Sequence, residues 1–283
     1  MSLDMYEKQI ISINKHLKTD FEKDLLEAAV ANLEYKGNPL RFHNFAYSIR
    51  EFSRHLLYSL SPESEVLSSN WYSSKKSEGR ATRRDRVKYA IQGRLSNDFV
   101  YRELFDKDDL EDIINSVVKL IELLSKYTHV NKEIFNLTER RIKELSDQII
   151  HVLIEFVKVI EDTRKAIIEE LSRKIQDEFI EYSLNQNIDK IEALATHHQI
   201  DYLHVEDVQI LKIEANLIKI GVNGYIDAHL QFGSNSDVAN DNGLETDESF
   251  PFEGTADIKL GKKLRTSKVH NIEIDVDTSQ WYE

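Results

Sequence analysis

The chain has 283 residues, of which 41% are hydrophobic and 31% charged, and its formal net charge is −13. This length is enough for one large domain or two ordinary ones. The absence of cysteine excludes disulfides, thiol nucleophiles and zinc sites with sulfur ligands. The N-terminus lacks the apolar core of a signal peptide. No stretch approaches the ~20 apolar residues of a membrane span, so we expect a soluble, cytoplasmic protein with no membrane segment.

Helical spacing of apolar residues covers the first two thirds of the sequence. It predicts helices over 4–35, 41–60, 82–93, 108–126, 138–185 and 188–196, with a serine-rich loop over 61–80. Thr82 is a possible N-cap. The segment 138–185 is either one long helix or two helices with a bend.

The chain changes character after residue 200. Gly93 is followed by no glycine or proline until Gly221, and six of the nine glycines lie between 221 and 261. Apolar residues then alternate with period two, which predicts four to six short antiparallel strands and a polar loop over 233–243. The expected fold class is therefore α+β, an N-terminal all-α helical bundle with a long helix, followed by a small antiparallel β-sandwich-like domain. We place the boundaries at 1–135 (helical bundle), 136–200 (long helical hairpin or stalk) and 201–283 (acidic β-domain).

Charge is distributed unevenly between these parts. Residues 41–102 contain 12 Lys/Arg against 6 Asp/Glu, a balance of +6, whereas residues 201–283 contain 7 against 16, a balance of −9. This asymmetry predicts that an anionic partner would meet the segment 41–102.

One group of residues suggests phosphate chemistry on a helix face. Arg50 and Arg54 are four residues apart and share a helix face, where their guanidinium groups could hold a phosphate. His55 or His43 could act as general acid or base beside them. The alternative is a solvated basic face with a packed histidine.

Two further groups lie at helix ends. Lys126 and His129 close the strongest amphipathic helix, where the helix dipole alone would favour a histidine, but His129 could also serve as a general base. Arg83, Arg84 and Arg86 crowd a helix start, and nearby Trp71 could stack on a base. Asp85 could instead simply pair with these arginines.

Metal and cofactor sites are not predicted. His197 and His198 are adjacent and would point apart on a helix, so a metal shared with His204 is not expected. The acidic residues of the loop after residue 233 do not have the spacing of a calcium-binding EF-hand. The sequence has no glycine-rich phosphate loop, no serine-nucleophile elbow and no HExxH motif.

Several segments are similar, in order, to the bacterial family called predicted pPIWI-associating nucleases. These segments are Gly37–His55, Asn70-Trp71-Tyr72, Thr82–Val87, Leu124–His129, Ala195–His198, Leu230–Asp237, Ser249–Glu253 and Asp277–Trp281. The helical part also resembles the HEPN ribonucleases and toxins, which carry Arg-x4-6-His on a helix. Arg50-x4-His55 fits that spacing on an earlier helix than usual, and no arginine lies at 122–124 before His129.

The resemblance implies a nuclease of defence against phage and mobile elements that cleaves RNA, rather than DNA, without a metal or other cofactor. The expected catalytic residues are Arg50, His55, Lys126 and His129. The expected nucleic-acid-binding residues are Arg41, His43, Arg54, Arg83, Arg84, Arg86 and Trp71. We also expect a homodimer and a defence-system partner protein at the β-domain. The alternatives are a non-catalytic nucleic-acid- or protein-binding scaffold, and a regulatory protein whose acidic β-domain mimics nucleic acid.

Overall fold

The computed structural model describes residues 6–17, 19–73 and 79–282. The chain divides into two compact units, Met1–Thr163 and Arg164–Glu283. The helices described are α1 (Glu7–Asn14), α2 (Asp20–Glu34), α3 (Arg41–Leu60), α4 (Glu63–Leu67), α5 (Arg83–Gln92), α6 (Asn97–Glu103), α7 (Lys107–Tyr127), α8 (Glu139–Asn185), α9 (Asp189–Glu192) and α10 (Asn235–Ala239). The strands are β1 (His197–Ile213), β2 (Leu217–Phe232), β3 (Leu244–Lys259) and β4 (Lys268–Val276). The α+β fold class is thereby confirmed.

Helix α3 forms the centre of the helical unit. Its apolar residues recur at helical spacing, and Phe45, Ile49 and Phe52 are fully buried. The helix packs against α2, α5 and α7, and its opposite stripe keeps Arg50 and Arg54 accessible. Burying one stripe of α3 therefore fixes which of its polar residues face solvent.

The segment 4–35 is two helices rather than the single helix expected. Thr19 accepts a hydrogen bond from the Glu22 backbone N–H at 3.2 Å, and Glu22 accepts one from the Thr19 N–H at 3.2 Å. This capping box starts α2 and separates it from α1. Residues 4, 5 and 18 of the expected helix lie outside the described residues.

Helices α5 and α7 follow the predictions to within a residue, whereas no helix was predicted at α6, and α10 lies in the expected polar loop over 233–243. The expected loop over 61–80 contains the short helix α4, and its residues 74–78 lie outside the described part. The segment from 138 is one helix of 47 residues, α8, and not two helices joined by a bend or a hairpin turn. The expected helix 188–196 is shorter in the structure, where α9 covers Asp189–Glu192 and strand β1 begins at His197. Within the described ranges, no helix is both long and apolar enough to cross a membrane.

The second unit contains one antiparallel sheet with strand order β1-β2-β3-β4. Alternate residues of β2, including Ile218, Ile220 and Ile226, are buried on one face. The C-terminal part of α8 covers this face, where Phe179 stacks on Phe252 with ring centroids 6.3 Å apart. The layer opposite the sheet is thus a helix, and the strands are longer than expected.

Candidate nucleic-acid interface

Helices α3 and α5 bring four arginines around one cavity of about 170 Å³ in the helical unit. The residues that line it are Arg50, Glu51, Arg54, Leu57, Tyr58, Ala81, Arg83, Arg86 and Ile121. Glu51 is the one carboxylate in this lining. We call this site the arginine cavity.

The N-terminal cap of α5 orients the two arginines that α5 contributes. The Thr82 hydroxyl accepts from the Asp85 N–H at 3.2 Å, and an Asp85 carboxylate oxygen accepts from the Thr82 N–H at 2.9 Å. Asp85 therefore caps the helix instead of pairing with an arginine. This arrangement also explains how three arginines are tolerated at a helix start, since Asp85 supplies the negative charge that the dipole favours there.

Arg86 forms the floor of the arginine cavity. Its side chain is 4% exposed and is ion-paired with Glu63. Its Nη1 donates to the Ser61 carbonyl at 2.5 Å, and its guanidinium lies over the Tyr58 ring, 3.9 Å from the centroid. Arg86 is therefore held rigidly and adds a fixed positive charge beneath the more accessible arginines.

Glu51 connects the two arginines of α3. Its carboxylate is 3.3 Å from Arg50 Nη1 and accepts from Arg54 Nε at 2.9 Å. Arg50 Nε also donates to the Ser125 hydroxyl of α7 at 3.3 Å. Both guanidinium groups are thus positioned by neighbours while each keeps donors available.

Arg83 is the most available cation of this cavity. It is exposed, and it has no ion pair or hydrogen bond to another residue in the described part of the chain. When Glu63, which pairs with Arg86 from outside the lining, is counted with Glu51, four arginines face two carboxylates and a surplus of positive charge remains. An anion with several acceptor oxygens, such as a phosphate, is the ligand that such a set of guanidinium donors suits best.

His55 lies beside the arginine cavity. Its Nε2 is 3.2 Å from Arg54 Nη2, and its ring meets the edge of Phe21 at a centroid distance of 5.0 Å. A guanidinium only donates hydrogen bonds, so Nε2 is the acceptor and the proton of a neutral ring is on Nδ1. The structure therefore brings Arg50, Arg54, Arg83 and His55 into one neighbourhood.

Lys126 and His129 are exposed at the end of α7. His129 follows Tyr127, whose carbonyl contacts His43. His43 and His55 are twelve residues apart on α3, which is about 18 Å along the helix axis. Within one chain, the segment before His129 therefore contacts α3 near His43, whereas His55 lies about three turns further along α3. The two histidines do not converge on one atom.

Two residues expected to bind nucleic acid are instead buried within the fold. The His43 ring is 5% exposed, and its nitrogens each lie 2.8 Å from a carbonyl oxygen, of Tyr127 and of Ile134. Arg41 is 3% exposed and is ion-paired with Glu139. Both join α3 to neighbouring segments in this arrangement.

Arg84 and Trp71 belong to a second cluster on the other side of α5. Arg84 is ion-paired with Glu111 and donates to the Asn115 side chain at 2.6 Å. The Trp71 indole donates to the Gly93 carbonyl at 3.0 Å, and Lys88 lies 5.0 Å above its ring. Burial lowers the pKa of Lys88. These side chains tie α5 to α7 and to the preceding loop.

Glu51 and Tyr58 are site residues that the sequence analysis missed. Glu51 bridges two arginines, and Tyr58 holds the guanidinium of Arg86. The signal that could have found Tyr58 is helical spacing, because Arg50, Arg54 and Tyr58 follow one another at intervals of four residues on the same stripe. Glu51 has the same kind of signal, because it lies three residues before Arg54 on the helix.

The histidines of the second unit lie on a strand. His197, His198 and His204 belong to β1 rather than to a helix, and neighbouring side chains on a strand point to opposite faces. The described residues contain no group of three or more potential ligands that could hold a metal ion.

Comparison with known families covers nearly the whole chain. Residues 14–153 match one family model and residues 160–282 match a second, and both are described as predicted pPIWI-associating nuclease. The chain belongs to this family. The first match ends and the second begins within α8, and the first contains the entire arginine cavity. No curated protein and no solved structure is significantly similar to the chain.

Proposed function

We propose that this predicted pPIWI-associating nuclease cleaves RNA without a metal ion, at the arginine cavity, as part of a defence against phage and mobile elements. The observation that carries the proposal is the convergence of Arg50, Arg54, Arg83 and Arg86 on one cavity beside a histidine. The same proposal includes a cytoplasmic location, a homodimer and a partner protein that binds the β-domain.

The phosphodiester would bind to the accessible arginines. Arg83 has all its donors available, and Arg50 and Arg54 can exchange part of their contact with Glu51 for phosphate oxygens. Buried Arg86, which pairs with Glu63, stays in place. Donors that already lie around the phosphate act best on the charge that develops at phosphorus in the transition state.

His55 would handle the proton of the nucleophile. When Arg54 turns to the phosphate, the lone pair on His55 Nε2 is released and can accept the proton of an RNA 2′-hydroxyl. The 2′-oxygen then forms a bond to phosphorus as the bond between phosphorus and the 5′-oxygen breaks. Water gives a proton to the leaving 5′-oxygen, so the products are a cyclic 2′,3′-phosphate and a 5′-hydroxyl. This chemistry requires RNA, since DNA lacks the attacking hydroxyl.

Lys126 and His129 would act along the same strand of RNA. Arg50 contacts Ser125, the residue before Lys126, so RNA that extends from the cavity along α7 would reach Lys126 and then His129. In this proposal Lys126 neutralises phosphate charge, and His129 is the second candidate for the general base that takes the proton of a 2′-hydroxyl.

Purified full-length protein incubated with end-labelled RNA or single-stranded DNA, in EDTA or in magnesium, tests the proposal. We expect cleavage of RNA in EDTA. A positioned acid or base typically contributes about 100- to 10,000-fold, so His55→Ala should lower the single-turnover rate by roughly 100-fold or more. Arg83→Ala should mainly weaken RNA binding.

Exposed residues of α8 provide the matched controls. His151→Ala and Arg173→Ala remove the same side-chain types outside the cavity and should leave the rate unchanged. If His55→Ala cleaves like the parent, the assignment of His55 is wrong. His129→Ala, measured in parallel, decides whether the end of α7 takes part.

The second candidate function is non-catalytic nucleic-acid binding. The observation that favours it is the separation of His55 from His129, which leaves one histidine beside the arginines. RNA binding that Arg83→Ala weakens, without cleavage of RNA or DNA in either buffer, would select this function.

A further inference from the structure

A separate cavity of about 240 Å³ lies in the helical unit between Tyr6, which precedes α1, helix α2, the start of α3 and the start of α8. Its walls include the apolar side chains of Val30, Leu33 and Ile142. Its lining also contains Arg41 and Ser146, which are 3% and 1% exposed. It shares no residue with the arginine cavity, and Arg41 is nine residues from Arg50, about 14 Å along α3.

Two buried polar atoms of this cavity have no hydrogen-bond partner among the described residues. They are Nη1 of Arg41 and the hydroxyl oxygen of Ser146. Buried donors are satisfied in nearly all proteins, because a donor removed from water without a partner destabilises the fold. Two such atoms in the lining of one cavity therefore indicate a missing acceptor.

The chemistry of the two atoms defines that acceptor. A guanidinium keeps its charge in proteins and only donates hydrogen bonds. Glu139 pairs with Arg41 through Nη2, and this hydrogen bond lowers the pKa of Glu139, but it leaves Nη1 available. A carboxylate or phosphate oxygen is the acceptor that a buried guanidinium and a hydroxyl suit best.

The size and walls of the cavity define the rest of the ligand. The volume is far above the roughly 15 Å³ that one water needs, and below the roughly 300–1,000 Å³ of pockets for drug-sized ligands. The lining carries four cations, on Lys36, Arg41, Arg140 and Lys143, against two carboxylates. Arg140 and Lys143 are also paired with Glu144 and Asp147 outside the lining, so Arg41 is the main cation for a bound anion. The remaining wall is apolar and would remove an apolar body from water.

We propose that this cavity binds a small anion with an apolar body, whose carboxylate or phosphate group receives hydrogen bonds from Arg41 Nη1 and the Ser146 hydroxyl. The site is independent of the proposed nuclease activity. It assigns to Arg41 a ligand other than nucleic acid.

Ligand-observed NMR on the full chain tests the proposal with four probes. Octanoate and phenyl phosphate carry an apolar body with a carboxylate or a phosphate, and their relative affinities identify the preferred head group. 1-Octanol lacks the charge, and inorganic phosphate lacks the apolar body. We expect at least one of the first two to bind at least tenfold more tightly than both of the others.

Ser146→Ala is the decisive variant. It removes an unsatisfied buried hydroxyl, so the melting temperature of the ligand-free protein should stay the same or rise, whereas affinity for the binding probe should fall several-fold. Ser172→Ala, on the exposed side of α8, is the matched control and should change neither. Arg41→Lys should weaken binding about tenfold, because an ammonium lacks the guanidinium fork.

The proposal is overturned if neither octanoate nor phenyl phosphate binds, or if Ser146→Ala binds the probe as the parent does. Should Arg41→Lys fail to fold, Ile142→Phe replaces it, since the larger side chain fills the cavity. Unchanged affinity in a folded Ile142→Phe variant would also overturn the proposal.

Discussion

At the residue scale, burial and pairing divide the arginines into two groups. Arg41 and Arg86 are almost fully buried and ion-paired with Glu139 and Glu63. Arg83 is exposed, without an ion pair among the described residues. The cluster at the start of α5 thus contains residues with different roles, and removing a buried partner from an ion pair is far more destabilising than removing an exposed cation.

His43 provides a prediction at the same scale. Substitution by leucine fills the site with an apolar side chain but removes both ring nitrogens, which lie 2.8 Å from the carbonyl oxygens of Tyr127 and Ile134. A neutral imidazole carries one N–H, so at least one buried carbonyl loses its donor. An unsatisfied buried group costs about 1–3 kcal/mol, and we expect the free energy of unfolding to fall by roughly that amount. Urea denaturation followed by Trp71 fluorescence, with Trp281→Phe as background, measures this value for the helical unit.

His129→Leu is the control for His43→Leu. His129 is exposed beyond the end of α7, and surface substitutions usually change stability by less than about 0.5 kcal/mol. Equal stabilities of the two variants would contradict a structural role for the His43 ring.

At the element scale, strand β2 contains two glycines with different surroundings. A Cβ atom at Gly224 would lie 1.9 Å from the carbonyl oxygen of His204 on β1. The irregular pairing between Val205 and Asp207 is adjacent to this close approach. A Cβ atom at Gly221 would make only an ordinary van der Waals contact, 3.5 Å from Leu211 Cδ2.

We expect Gly224→Ala to destabilise the sheet by about 2–3 kcal/mol, because the added methyl group must displace the backbone of β1. Gly221→Ala should stay within about 0.5 kcal/mol of the parent. Urea denaturation followed by Trp281 fluorescence, in a Trp71→Phe background, compares the two. Similar stabilities would show that β1 moves freely away from β2 at this position.

At the scale of the whole molecule, the two units differ in charge and in the residues they offer to a ligand. The arginine cavity lies in the first unit, whereas residues 201–283 carry a net charge of −9. An RNA ligand should therefore protect α3, α5 and α7 from hydrogen exchange and leave β3 and β4 unchanged. Protection confined to the sheet would contradict the proposed interface.

Salt dependence provides a second readout of the same interface. Three phosphate contacts to single-stranded RNA predict a slope of about −2 in a plot of log affinity against log salt concentration. Removing Arg83 should reduce this slope by about 0.7, and Arg173→Ala should leave it unchanged.

Much of the fold was predictable because it depends on local patterns. Apolar periodicity placed α3 within its observed bounds and α7 within a residue of them, and the change to period two placed the sheet. The break between α1 and α2 was missed, although Thr19 and Glu22 have the spacing of a capping box. Periodicity continues across such a short interruption and hides it.

By itself, the sequence determined the α+β class, the family and the separation of basic from acidic segments, since these follow from composition, period and ordered motifs. Only the tertiary structure decided which cations share a cavity. Arg50 and Arg83 are far apart in sequence and line the same cavity because α3 and α5 pack together. Arg41, in contrast, is buried and ion-paired with Glu139 at the start of α8. Contacts between side chains of different helices depend on how the helices pack, and the spacing of residues within one helix does not determine that packing.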